Sequence, residues 1–248
     1  RTPVPMTATT PSPAPAPATL VTAAPAAAPA PALVHLRLLG ETAIDVDGVP
    51  VGPESQVLFA VLLVLALERG RRLARTALHR LLWPAADDES GRHNLRQVLY
   101  KLRQLGVPMD TTQSSVMLPA AVVTGDLVAL TSGAHAIGPR LADGRRVGDF
   151  LPGYAPTFSA PFADWLDEQR SLIQAQLRRG LLGALAEARG LDRWREVETI
   201  AREVLRIDPL NEEATLALAE AAALAGAKAQ ALGIIDRYLD EVGGRPTE

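Results

Sequence analysis

With 248 residues, 48% of them hydrophobic, the chain can bury one or two substantial cores, and two small domains suit it better than one large one. Having no cysteine, it builds no disulfide, zinc finger, iron–sulfur cluster or thiol nucleophile, and it suits a reducing cytoplasm. A formal net charge of −3 hides unlike segments and does not exclude a nucleic-acid partner.

Residues 1–32 are almost entirely Pro, Ala and Thr. Proline removes backbone donors and fixes an extended geometry, so an unfolded or polyproline-like tail is expected. The segment lacks the basic start and continuous apolar stretch of a secretion signal. Because it begins with Arg, the chain is expected to be a processed or excised piece, with Met6 a candidate natural start.

Leu33 to Val51 alternates in short apolar runs broken by Gly40 and by Asp47-Gly48, a strong hairpin signal. Three short antiparallel strands are expected. Glu54 to Arg69 is apolar nearly all round, as a helix covered on both sides should be. Its longest apolar run, Val57 to Leu67, has eleven residues and is too short to span a bilayer, so no membrane partner is expected. Thr76 to Trp83 reads as a short amphipathic helix with Leu78, Leu81 and Leu82 inward, ended by Pro84.

A third helix, over residues 89–105, begins beside Asp87, Asp88, Glu89 and Ser90, whose oxygens suit the free N–H groups and positive pole of a helix start. That structural role accounts for these acids better than a catalytic carboxylate pair. At about 100° per residue, Arg92, Arg103, Arg96, Tyr100, His93, Gln104 and Gln97 fall within one arc of roughly 140°. Leu105, Val98, Leu102, Leu95 and Leu99 fill the opposite arc. Arginine pairs with guanine, and Gln or Asn with adenine, in a DNA major groove. Many surface helices carry charge outside and leucine inside, so the surroundings decide. From Arg69 to Gly106 there are nine Lys or Arg against three acids, a net of +6. From Pro161 onward there are eleven against sixteen, a net of −5. A basic patch therefore stands on an otherwise acidic chain.

Pro108 to Val123 reads as a strand, a turn and a second strand. Strands, two helices, a basic third helix and a closing hairpin make a winged helix-turn-helix over 33–125, with the hairpin as wing. Residues 126–147, with glycines at 133, 138 and 144, are expected to be a linker holding at most a short helix. A domain over 148–248 follows. Pro161 to Arg179 reads as a further amphipathic helix before the repeats; ALAEA then occurs at 184–188 and again at 217–221, and Val197, Ile200, Ala201, Val204 and Leu205 match Ala231, Ile234, Ile235, Tyr238 and Leu239 at 34. A period near 34, small residues and the Asp208-Pro209 turn make a tetratricopeptide-like pattern. The fold class expected is mainly α with a small β component: a winged helix-turn-helix followed by an all-α tetratricopeptide-like array.

Taken in order, GETAIDVDGVPV, VLFAVLLVLALERGRRLARTALHRLLWP, NLRQVLYKLRQLGV, GDFLPGY, FADWLDEQRSLI and the repeats resemble the antibiotic-regulatory-protein class of bacterial transcriptional activators. Those join an OmpR-type winged helix to a bacterial transcriptional activator domain of tetratricopeptide helices. The resemblance covers roughly Leu33 to Glu241. It implies that Asn94, Arg96, Gln97 and Tyr100 to Arg103 lie on the recognition helix, that Trp83 closes the preceding helix as core, and that the protein binds direct repeats in tandem and contacts RNA polymerase. Trp165, like Trp83, is most simply a packing residue. Relatives carry a Gly-Tyr pair in the wing strand where this chain has Ser115-Val116-Met117-Leu118, with no Lys or Arg between Val107 and Thr131. The chain stops just after a fourth repeat helix and is expected to be part of a longer regulator.

The function expected is sequence-specific binding of double-stranded DNA by a transcriptional regulator, an activator, with the helical repeats serving protein contacts. The DNA-contacting set is Arg92, His93, Arg96, Gln97, Tyr100, Lys101, Arg103 and Gln104 on the third helix. Arg71, Arg72 and Arg75, before and at the start of the preceding helix, are placed to neutralise phosphates. A homodimer is left open. The alternative is a protein-interaction adaptor whose winged helix no longer binds DNA. No enzyme is expected: His35, His79, His93 and His135 stand apart from any acidic or nucleophilic partner, and no HExxH or Gly-rich phosphate loop occurs. Catalytic residues, metal ligands and cofactors are accordingly not assigned.

Overall fold

A computed structural model describes residues 33–131 and 148–243. The expected tail, most of the expected linker and His135 lie outside the described residues. Those described belong to one compact unit.

Three strands, β1 (Val34–Arg37), β2 (Ala43–Val46) and β3 (Val49–Val51), form the antiparallel meander expected for this stretch. Asp47 and Gly48 both take positive φ, 50° and 81°, the pairing a two-residue hairpin requires. Alternation then puts Val34, Leu36, Ile44 and Val46 into the core. Helix α1 (Val57–Leu67) starts after a 3-10 turn over Pro53–Ser55 and is buried without interruption from Phe59 to Ala66, which explains its lack of a polar face. Helices α2 (Arg75–Leu82) and α3 (Asp88–Gln104) follow.

Two strands are additional to the sequence reading. A two-residue strand, β4 (Leu73–Ala74), pairs with β6 (Ser115–Met117), which pairs in turn with β5 (Asp110–Thr111), so the wing is one side of a three-stranded sheet. Strand β7 (Val123–Gly125) returns to lie parallel to β1, giving the order β3-β2-β1-β7. Immediately after it, Asp126 opens the short helix α4 (Asp126–Thr131). Its buried carboxylate accepts hydrogen bonds from the backbone N–H groups of Leu38 (2.8 Å), Leu39 (2.7 Å) and Leu127 (2.8 Å), closing the end of the sheet.

From Ala160 to Val242 the chain folds as four helices. Helix α5 (Ala160–Gly190) runs unbroken for 31 residues, so the expected separate helix ending at Arg179 is corrected: Gly180 and Gly183 are carried inside one helix. After it come α6 (Trp194–Ile207), α7 (Glu212–Leu224) and α8 (Lys228–Val242), in two successive pairs. Ala184, Ala188, Ala201, Ala214, Ala217, Ala221 and Ala231 are buried, small side chains that let neighbouring helices approach closely. Asn211 caps α7, accepting from the N–H of Ala214 at 3.0 Å, just after the Asp208-Pro209 turn.

The array is fused to the winged helix. The Ser159 hydroxyl donates to the carbonyl of Leu81 on α2 (2.6 Å) while accepting from the N–H of Phe162. An aromatic seam runs across the junction: Phe59 meets Tyr154 edge-on with centroids 5.1 Å apart, Tyr154 meets Phe162 at 6.5 Å, and Phe158 and Trp165 stack on Phe162 at 5.4 and 5.5 Å. Burial pushes the Tyr154 phenol up to about 12, and its hydroxyl has no hydrogen-bond partner among the described residues. One continuous hydrophobic core spans both halves.

Candidate nucleic-acid interface

Helix α3 is set by a cap at its start and leucines along one side. The Asp87 carboxylate accepts from the Ser90 N–H at 2.7 Å, and these hydrogen bonds, first from the backbone and then from the Ser90 hydroxyl, hold its pKa below the ordinary aspartate range. Leu95, Leu99 and Leu102 are buried against α1 and α2. Gly91 makes the approach to α2 possible: a Cβ there would stand 2.6 Å from Nδ1 of His79, which is only 2% exposed. His79 has an acidic neighbour that spacing along the chain did not disclose, since its Nε2 lies 3.4 Å from Asp88 on the next helix.

With the leucines inward, the opposite face is open. Arg92, His93, Arg96, Gln97, Tyr100, Lys101, Arg103 and Gln104 are all exposed, Tyr100 to 58%. The Gln104 amide donates to the Tyr100 hydroxyl at 2.9 Å, presenting amide and phenol as one polar unit. Arg92 lies 3.6 Å from Asp88, one turn back. Asn94 is half-buried, at the margin of the exposed face. Trp83 caps the end of α2 and packs against the core, as does Trp165 on α5.

The three arginines around α2 have different fates. Arg71 is largely exposed and paired with Glu68 (2.8 Å), and Arg72 is paired with Asp110 on the wing. Arg75, the first residue of α2, is half-buried; its N–H donates to the carbonyl of Ser114 at the wing turn (2.9 Å), and its Nε has no acceptor among the described residues. Burial, then the adjacent Arg103 and Arg96, push its guanidinium below the ordinary value. The wing contributes hydroxyls instead of cations: Thr112 Oγ1 and Ser115 Oγ lie 2.8 Å apart, and Thr111 accepts a hydrogen bond from Arg103. Between α2, α3 and the wing turn lies a cleft of about 1090 Å³.

Among the described residues, no group of three or more His, Asp or Glu is placed to hold a metal ion, and no helix is long and apolar enough to cross a membrane.

No family model and no curated protein matches the chain. Among solved structures, it is similar to EmbR of Mycobacterium tuberculosis in complex with a low-affinity phosphopeptide, with a TM-score of 0.53 and 21% identity over 85% of this chain and 60% of that one. The chain thus spans about 60% of the length of the EmbR chain it matches. At this identity the likeness concerns the fold: a winged helix with a small sheet, followed by a helical domain.

Proposed function

We propose that the chain is a sequence-specific DNA-binding transcriptional regulator of the antibiotic-regulatory-protein type, acting as an activator in the cytoplasm and having no enzymatic role. Its α3 enters the major groove, and its helical array makes protein contacts, with RNA polymerase and a second copy of the chain as candidate partners. The observation that carries this reading is the state of α3: every cationic, amide and phenolic side chain on its outer face is exposed, while its leucines are buried. A helix fixed by its apolar side and open on a guanidinium and amide side has the chemistry that reads base edges. The EmbR-like fold supports the same reading.

Selection of bound duplexes from a random pool tests binding and yields the site at once. On the selected duplex, Arg96→Ala is expected to weaken binding about 5- to 150-fold, the equivalent of about 1–3 kcal/mol for a bidentate base contact, and to relax preference at one base pair. Recovery of no preferred sequence, or an Arg96→Ala variant with unchanged affinity and selectivity, refutes it. The adaptor alternative predicts no salt-sensitive duplex binding at all.

A further inference from the structure

Helix α8 has two apolar arcs, and the array covers only one of them. With Leu232 at zero and about 100° per residue, Ala231, Ile234 and Tyr238 fall at roughly 200° to 260°, while Leu232, Ile235, Leu239 and Val242 fill roughly 280° to 360°. The first arc lies on the array: Ala231 is buried and Ile234 packs against the core. On the second arc Leu232, Leu239 and Val242 are each more than half exposed, and Ile235 is half-buried. Single exposed leucines are ordinary, but these residues stand at the 3-4-3 spacing of a seam between paired helices, and Lys228 extends the same line by one turn. The preceding repeat shows such a seam covered. On α6, which α7 follows, Ala201 is buried and Leu205 packs against the core, and these are the positions that match Ile235 and Leu239. No helix follows α8 among the described residues. The charges of α8 add a direction. Lys228 opens the helix, Asp236, Asp240 and Glu241 lie in its second half, and its last turn has no basic residue, so it is charged against its own dipole. An antiparallel neighbour of the same sequence offsets that distribution at both ends.

We propose that a second copy of the chain covers this seam, α8 pairing with α8 in antiparallel fashion about a two-fold axis. The pairing rests on the second-copy partner of the reading above and not on DNA contact, so each can fail without the other. Setting Leu232 opposite Ile235 of the second copy gives two such layers by symmetry and lays Leu239 over the methylene stem of Lys228. At a rise of about 1.5 Å per residue, Asp236 of the second copy then stands less than one turn along from Lys228, within a side chain's reach, twice across the axis. A parallel pairing would instead set Lys228 against Lys228. Sliding the antiparallel pair to centre between Ile235 and Leu239 would set Asp236 against Asp236. A closed two-fold of this kind holds the two α3 helices in inverted relation, unlike the tandem direct repeats that the family resemblance implies.

Sedimentation equilibrium of the full chain at micromolar concentrations should show a reversible monomer–dimer equilibrium. Leu232→Lys, a change at an exposed position, should keep the wild-type circular dichroism and sediment as a monomer. Lys228→Asp and Asp236→Lys should each weaken the dimer about 5- to 30-fold, because each change acts twice across the axis, and the two together should restore it. A wild type that stays monomeric, whether the seam is bare or another part of the chain covers it, overturns the proposal. So does a dimer indifferent to Leu232→Lys, or a charge swap without recovery. A dimer with these properties that selects no duplex supports the pairing and removes the DNA reading; a monomeric wild type that selects a duplex does the reverse.

Discussion

Gly91 offers a direct check on the packing that aims α3. In a solvent-facing helical position, Gly→Ala would stabilise by about 0.8–1 kcal/mol through propensity alone. Here the added Cβ would meet Nδ1 of His79 at 2.6 Å, and His79 is 2% exposed, so the ring has no open space to yield into. Restoring ordinary contact requires α3 to move off α2 by most of an ångström, an overpacking that costs about 1–3 kcal/mol. The expected net effect of Gly91→Ala is destabilisation by about 1–2 kcal/mol. In a double-mutant cycle with His79→Ala, the clash disappears while the propensity gain remains, giving a coupling of about 2 kcal/mol. Chemical denaturation of the four proteins measures it. A Gly91→Ala variant more stable than wild type, with no coupling to residue 79, refutes the proposed contact. The same variant should bind the selected duplex more weakly, because α3 is re-aimed relative to the wing.

Asp126→Ala should destabilise by about 3 kcal/mol in denaturant unfolding, since three backbone N–H groups at the end of β1 and start of α4 lose a charged acceptor. Tyr154→Phe should be neutral or stabilising by about 1 kcal/mol, because it removes a buried hydroxyl without a partner. It should also abolish a late step near pH 12 in the ultraviolet titration of the three tyrosines. For Asp87 the folded-state pKa is depressed, so its stabilising effect is present at neutral pH, above the unfolded value, and is lost as pH falls through the folded value. Unfolding midpoints of wild type and Asp87→Ala should therefore differ at pH 7 and converge in strong acid.

Where the chain signalled its structure, a local rule was at work. Asp47-Gly48 marks its hairpin because few residue pairs accept two positive φ angles, and α3 is legible because its charge and leucine segregate at the helical period. Non-local features were not legible. Strand β7 pairs with β1 across some ninety residues, and β4 is two residues long, too short to show alternation. The amphipathic pattern read over Pro161 to Arg179 stops short, yet burial of Leu177, Leu181, Ala184 and Leu185 carries α5 on past Gly180 and Gly183. At the site, the composition of the α3 face could be read, but not the separate fates of Arg71, Arg72 and Arg75, which depend on carboxylates and wing atoms brought together by folding. His79 beside Asp88 escaped notice for the same reason; a glycine inside the first turn of an otherwise good helix was its only trace.

The aromatic seam and the Ser159 link to α2 leave no hinge between the winged helix and the array in their immediate contact. A partner held by the array would then be presented at one fixed azimuth around the duplex. Spacers of about five base pairs inserted between the bound site and a promoter would swing it to the far side, and about ten would bring it back.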